Sequence, residues 1–198
     1  MKKNYLTLML CVFCVVGLNA EKVVDTYTLS YFNKTYDIEA SEIKNDKFSV
    51  YIGVNAERNS TKAMIEVNSE NLEEFNQALR QMKDKFVDWS RVAKENNVKE
   101  MSKEMEITFP SISICWLGSK WFFSFGEKLK PKFLILDNGN FVVSFYKKVT
   151  ASSNEYIDEK IYWVFSDSKE IDELVSKLNV EKLKSKLQEK VKAADLFK

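Results

Sequence analysis

The stretch SENLEEFNQALRQMKDKFVDWSRVA, residues 69–93, decides the fold of this chain. Its apolar residues recur at alternating intervals of three and four, which places them on one stripe of an α-helix. The stripe consists of Leu72, Phe75, Leu79, Met82, Phe86, Trp89 and Ala93. Such a stripe also fits a coiled-coil seam, but the bulky Phe, Met and Trp side chains favour packing on the broad surface of a sheet. We therefore expect a long helix that lies across β-strands.

A second segment repeats the start of this helix. The pattern Ser-x-x-(Leu/Ile)-(Glu/Asp)-Glu-(Phe/Leu)-x-x-x-Leu occurs at residues 69–79 and again at 168–178. Two strand candidates precede each copy, at 48–54 and 62–67 and then at 141–149 and 160–165. This repeated pattern predicts pseudo-repeat halves at 21–97 and 104–198. The alternative is coincidence, because unrelated helices also begin with polar caps and acidic first turns. Asn179 interrupts the second helix, so we expect a kink or restart there.

Alternating apolar residues predict β-strands over much of the remaining chain. The further candidates are residues 27–32, 36–43, 106–117, 120–125, 133–136 and 140–148. A charged connector at 96–105 separates the halves, and Asn138-Gly139 favours a tight hairpin turn. We expect an α+β fold with an antiparallel-rich sheet or sheets and two long helices, in which a unit of four strands and one helix occurs twice.

Residues 1–20 have the layout of a secretory signal peptide. Lys2 and Lys3 form a basic start, an apolar run follows, and Gly17 and Ala20 mark a cleavage site. The apolar run is shorter than the roughly 20 residues that a membrane-spanning helix needs, so no transmembrane segment is expected. We expect cleavage near Ala20, export to the periplasm or the extracellular space, and a single mature domain at residues 21–198. The net charge of that mature chain is about −1.

The order of predicted elements resembles the repeated four-strands-plus-helix plan of the Whirly and Pur-alpha single-stranded nucleic-acid-binding proteins. The resemblance extends over most of the mature chain and rests on element order alone. A second resemblance, carried by Leu72-Glu73-Glu74-Phe75 and its continuation at residues 85–89, is to small uncharacterised exported bacterial proteins. Nucleic acid is not an expected partner, because a mature charge near −1 and an export signal do not fit a basic binding face.

Aromatic residues lie on both faces of two predicted strands, at 121–125 and 141–146. Helices cover one face of a sheet, so another sheet layer, a partner subunit or a ligand must cover the second face. Core packing is the first interpretation, a homodimer or envelope-protein interface the second, and an aromatic ligand groove the third. The candidates for a ligand or partner surface are Trp116, Trp121, Tyr146 and Trp163.

Catalysis has little support in the sequence. The chain contains no histidine, which removes the commonest general base and every histidine-based triad or metal site. It also lacks phosphate-loop, paired-cysteine and calcium-loop motifs, so no cofactor is expected. Cys115 is the single cysteine of the mature chain, and its strand-like setting predicts a structural thiol.

The sequence therefore predicts a soluble, exported, non-enzymatic binding or protein-interaction module. The alternative is a carboxylate-dependent hydrolase of extracellular or envelope glycans, in which Asp137 would act with Glu155, Asp158 or Glu159. Charged residues near loops are usually solvated, which favours the first interpretation.

The C-terminal helix offers one more hypothesis. Lysines surround Leu183, Leu187 and Val191, a combination that can lie on an anionic membrane surface. The lysines are Lys182, Lys184, Lys186, Lys190, Lys192 and Lys198. Interspersed acidic residues dilute this charge and favour a solvated helix face, with a weak membrane-surface contact as the alternative.

Overall fold

The computed structural model describes residues 22–58 and 62–195, and it confirms the α+β fold. The predicted signal segment lies outside the described residues. Ten strands and three helices occur within them, and no helix there has the length and apolar character to cross a membrane. In chain order the elements are β1 (Lys22–Leu29), β2 (Lys34–Ala40), β3 (Ser49–Ala56), β4 (Ala63–Asn68), α1 (Leu72–Glu95), β5 (Met101–Glu104), β6 (Ile112–Leu117), β7 (Trp121–Glu127), β8 (Lys132–Ile135), β9 (Phe141–Ala151), β10 (Asn154–Phe165), α2 (Ser168–Lys177) and α3 (Val180–Asp195).

Helix α1 packs on the sheet through the predicted stripe. All of the stripe except the half-buried Trp89 is buried, which confirms sheet packing over a coiled-coil seam. Phe75 stacks on Trp163 of β10 with ring centroids 6.3 Å apart, and Phe86 contacts Phe133 of β8 at 6.1 Å. The two acidic residues of the first turn, Glu73 and Glu74, complement the positive end of the helix dipole. The stripe therefore joins α1 to strands from the second half of the chain.

The strands form one antiparallel sheet of two parts. One part has the order β1-β2-β3-β4-β6-β7, and the other has the order β5-β8-β9-β10. They join where the end of β3 pairs with β10, through Ala56 opposite Ile161 and Asn55 opposite Tyr162. Strand β3 pairs earlier along its length with β2, so the two parts of the sheet diverge at this strand.

The second half of the chain differs from the predicted unit of four strands. Strand β5 lies inside the predicted charged connector, and β10 begins at Asn154, six residues before the predicted start at 160. The four residues of β5 are all exposed and carry no alternating apolar pattern. Residues 101–104 therefore form a strand because they pair with the partly buried β8. Strand β6 is shorter than predicted, in part because Pro110 has no N–H for a ladder. The units β3-β4-α1 and β9-β10-α2 both occur, and a duplication stays a prediction.

The second helical region is interrupted at Leu178-Asn179, which confirms the predicted restart. The Asn179 side-chain oxygen accepts a hydrogen bond of 3.0 Å from the Lys182 N–H and so caps α3. Asn76 on α1, itself buried, donates its side-chain N–H to the Leu178 carbonyl at 2.9 Å. The break is therefore tied directly to α1.

Helix α3 packs into the protein rather than outward. Leu183 and Leu187 are buried in the core, and Lys184 and Lys186 form ion pairs with Asp46 and Asp25. Among the residues whose side chains are described, the apolar side chains that a membrane contact would need are therefore buried in the core. This corrects the membrane-surface hypothesis for that part of the helix.

Candidate functional site

The four aromatic candidates do not form one surface. Trp163 is 0% exposed and Trp116 is 2% exposed, so both are core residues and not parts of a ligand surface. Strand alternation turns them inward, whereas Tyr146 is 55% exposed on β9 and Trp121 is half-buried on β7. Cys115 is buried, in agreement with a structural thiol.

The proposed catalytic carboxylates lie at opposite ends of a strand. Asp137 is exposed in the turn before β9, whereas Asp158 pairs with Thr150 near the other end of β9. Thr150 lies nine positions after Phe141 along β9, so about 30 Å of strand separates Asp137 from Asp158. Paired glycosidase carboxylates stand about 5 to 10 Å apart, so these pairs are excluded.

A groove of about 1000 Å³ lies at the end of the sheet where β9 begins and β10 ends. We call it the end groove. Its walls are the second half of α1, the β8–β9 turn, the β1–β2 turn and the start of α2. Tyr31 of the β1–β2 turn and Val87 of α1 line it and are 47% and 50% exposed. The groove thus presents apolar surface from two elements to solvent.

The buried carboxylate of Glu170 ties two walls of the end groove together. One oxygen accepts the Ser30 N–H at 2.7 Å, and the other accepts the Ser166 N–H at 2.8 Å. Glu170 also completes a capping box with Asp167 at the start of α2. Because Glu170 is only 6% exposed, these bonds fix the β1–β2 turn, and hence Tyr31, against α2.

Charged residues of the end groove are held by their neighbours. Arg91 on α1 donates hydrogen bonds to Asp88 at 2.7 Å and to Glu95 at 2.9 Å. The bonds to Asp88 and Glu95 raise the pKa of Arg91. The Lys94 ammonium lies 5.5 Å from the centre of the Phe141 ring, a cation–π contact. The groove therefore combines apolar surface with charges of both signs.

The β8–β9 turn supplies polar groups to the groove. Gly139 has a φ of +81°, which a side chain would strain, and the Asn138 side chain accepts the Asn140 N–H at 3.0 Å. Both asparagines line the groove. Amide side chains beside apolar residues are suited to hydrogen bonding with a polypeptide backbone.

A second groove, of about 480 Å³, continues from the first. It shares Tyr31, Leu136 and Asn138 with the end groove and runs along Met101 and Ser102 of β5. Among the described residues, β5 pairs with a strand on one side only, namely β8. The second groove also includes Leu134 and Ile135 of β8, the pairing partners of Ser102 and Met101, so it lies over the β5–β8 pair beside the edge strand of this part of the sheet.

Sequence reasoning missed the residues of this site. Val87 is an apolar residue of α1 outside the stripe and could have been noticed. Tyr31 was expected in a strand at residues 27–32, but β1 ends at Leu29 and Tyr31 lies in the turn that follows. In the described part of the chain, no group of three or more His, Cys, Asp or Glu side chains is arranged to hold a metal ion.

Comparisons of the chain with protein-family models, with curated proteins and with solved structures returned no match. The site is therefore interpreted from its own geometry.

Proposed function

We propose that this protein is a non-enzymatic binding module whose end groove receives an extended segment of another polypeptide. The observation that carries the proposal is the exposure of Tyr31 and Val87 in a groove whose walls are fixed by the buried Glu170. A volume of about 1000 Å³ lies at the upper end of the range for ligand sites, and an open shape suits a chain segment.

The edge of β5 supports an extended conformation for the bound segment. A peptide that adds to a sheet edge forms main-chain hydrogen bonds, and its alternate side chains enter adjoining pockets. The second groove places such pockets beside Met101 and Ser102 and connects them to the end groove. The segment would thus extend the sheet at β5 and reach Tyr31 with its end.

Charge favours a foreign strand over a second copy of β5. In a twofold antiparallel pairing centred on Ser102, Glu100 would face Glu104 of the second copy. In a pairing centred on Met101, Lys99 would face Lys103 of the second copy. Like charges directly opposite destabilise a strand pair, so self-addition at this edge is disfavoured.

We also propose that the module works outside the cytosol after cleavage near Ala20. The layout of residues 1–20 supports this, and their removal would take away none of the described elements, which begin at Lys22.

A peptide library displayed on phage tests the proposed function. The mature protein should enrich peptides that bind at micromolar concentration, and Tyr31→Ala with Val87→Asp should weaken binding at least about tenfold. Tyr156→Ala is the matched control, because Tyr156 is 87% exposed and does not line the groove. A failure to enrich peptides, or equal binding by the groove variant, would contradict the proposal.

A further inference from the structure

Two tyrosines form a platform on the face of β9 and β10 opposite the buried aromatic residues. Tyr146 and Tyr162 are direct cross-strand partners, and their ring centroids are 5.1 Å apart with the rings tilted by 39°. The neighbouring positions, Phe145 and Trp163, point into the core. Paired strands of a core therefore hold the two rings in place, and we call this surface the tyrosine face.

Hydrogen-bonding groups surround the tyrosine face in fixed positions. The Glu57 carboxylate accepts hydrogen bonds from the Tyr162 hydroxyl at 3.1 Å and from the Lys160 ammonium at 2.8 Å. The Asp158 carboxylate forms ion pairs with the Lys148 ammonium at 2.8 Å and with the Arg58 guanidinium at 3.2 Å. Lys148 and Lys160 are themselves cross-strand partners beside the two rings. Donors and acceptors thus stand next to an aromatic surface.

The charges of this cluster largely compensate one another, with three cations sharing two carboxylates. The hydrogen bond from Lys160 lowers the pKa of Glu57, and that from Lys148 lowers the pKa of Asp158, so both carboxylates are ionised at neutral pH. Lys148 and Arg58 share Asp158, and Lys160 pairs with Glu57, so each cation has a carboxylate partner and the five groups sum to +1. Such a nearly balanced surface attracts an ion only weakly and still presents hydrogen-bond donors and acceptors.

We propose that the tyrosine face binds an uncharged saccharide. A sugar ring has an apolar face of C–H groups, which packs on an aromatic ring, and a rim of hydroxyls, each both donor and acceptor. Tyr146, 55% exposed, supplies the surface for the ring, and Lys148, Asp158, Lys160 and Glu57 supply partners for the hydroxyls.

This site is separate from the end groove. Tyr146 lies five residues along β9 from Phe141, a distance of about 17 Å, and the two side chains lie on opposite faces of the strand. Saccharide binding therefore neither requires nor excludes a polypeptide in the end groove.

NMR titration of ¹⁵N-labelled mature protein with neutral trisaccharides tests the proposal. The probes are maltotriose, cellotriose, xylotriose and N,N′,N″-triacetylchitotriose, each up to about 10 mM, because a site with a Kd of about 1 mM would be about nine-tenths occupied at that concentration. We expect one of them to shift the amide signals of residues around Tyr146 and Tyr162 in a saturable manner. Tyr146→Ala should weaken that binding at least about tenfold, whereas Tyr146→Phe should retain most of it.

Tyr156→Ala is the control, since Tyr156 lies nearer the β9–β10 turn. Without sugar, the amide spectrum of Tyr146→Ala should match that of the wild type away from the substituted residue, because the removed side chain is exposed and its loss should leave the fold unchanged. Three results would overturn the proposal: no saturable shifts with any of the four sugars, equal binding by Tyr146→Ala, or a wild-type dimer that Tyr146→Ala dissociates in the absence of sugar shifts. The last result would assign the tyrosine face to a protein interface.

Discussion

The Glu170 carboxylate on α2 accepts a 2.7 Å hydrogen bond from the backbone N–H of Ser30, a residue 140 positions earlier in the chain. The same carboxylate holds the N–H of Ser166 at the end of β10. One buried side chain thus joins the first hairpin of the protein to its second helical region, and the end groove is the space that this junction leaves beside α1.

Replacement of Glu170 by Ala should destabilise the protein by about 2 to 4 kcal/mol. The substitution removes two part-buried hydrogen bonds from the N–H groups of Ser30 and Ser166 to a charged acceptor, together with one half of the capping box. Urea unfolding measures the change in the free energy of unfolding. Glu155→Gln, at an exposed carboxylate, is the control and should change it by less than about 0.5 kcal/mol. A loss at Glu170 as small as that at Glu155 would show that the network is unimportant.

Truncation of the α1 stripe should cost far more. Phe75→Ala and Phe86→Ala should each destabilise the fold by about 3 to 5 kcal/mol, because both rings are buried against aromatic residues of the sheet. Val87→Ala, at a half-exposed position of the same helix, should have a small effect. Chemical denaturation compares the three variants. Losses below about 1 kcal/mol at both phenylalanines would contradict the packing described for α1.

Acid should weaken the attachment of α2 and α3 to β1. Burial opposes ionisation of Asp25, but hydrogen bonds from Lys186 and from the Thr26 N–H, with the nearby charges of Lys186 and Lys177, outweigh burial and lower the pKa of Asp25. A carboxyl with a lowered folded-state pKa stabilises the fold above its unfolded-state pKa of 3.8 and loses that contribution as the pH falls through the folded-state value.

Because Asp25 is partly exposed, we expect this contribution to be less than about 1 kcal/mol. Stability measured between pH 6 and pH 2 should fall less steeply below about pH 5 in Asp25→Asn than in the wild type. Identical slopes for the two proteins would mean that Asp25 is not stabilised by the two lysines.

Self-association through the aromatic strands at 121–125 and 141–146 remains a prediction, and the outer face of β7 presents one exposed part of that surface. Phe123 and Phe125 stack there with ring centroids 6.0 Å apart, and Phe125 is 63% exposed. A homodimer would remove this surface from water at a gain of roughly 25 cal/mol per Å² of apolar area before the cost of association. Light scattering at micromolar concentration should show a dimer that Phe125→Glu dissociates. A monomeric wild type would rule this interface out.

Export has a direct test. Expressed with its full sequence in a bacterial host, the protein should be recovered outside the cytosol with Glu21 at or near its N-terminus. N-terminal sequencing or intact mass measurement gives the result. An exported product that retains Met1 would contradict the predicted cleavage.

Local spacing in the sequence determined the helices and the better strands. The stripe from Leu72 to Ala93 specified α1 and its buried face, because an apolar stripe has one stable location, against other apolar surface. The interruption at Asn179 likewise specified the division between α2 and α3. Alternation in β7 and β9 showed that aromatic residues lie on both faces of each strand.

The tertiary structure alone decided which of those faces is covered. Alternation separates Tyr146 from Phe145, but only tertiary packing makes one exposed and the other buried, since Phe109 packs against Phe145 at 5.5 Å. Strand β5 has no apolar pattern and exists through its pairing with β8. The end groove depends on the bond between Glu170 and Ser30, and periodicity carries no information about a hydrogen bond between residues 140 positions apart. Local pattern fixes what each segment buries, whereas a site made from distant segments exists only after they have packed.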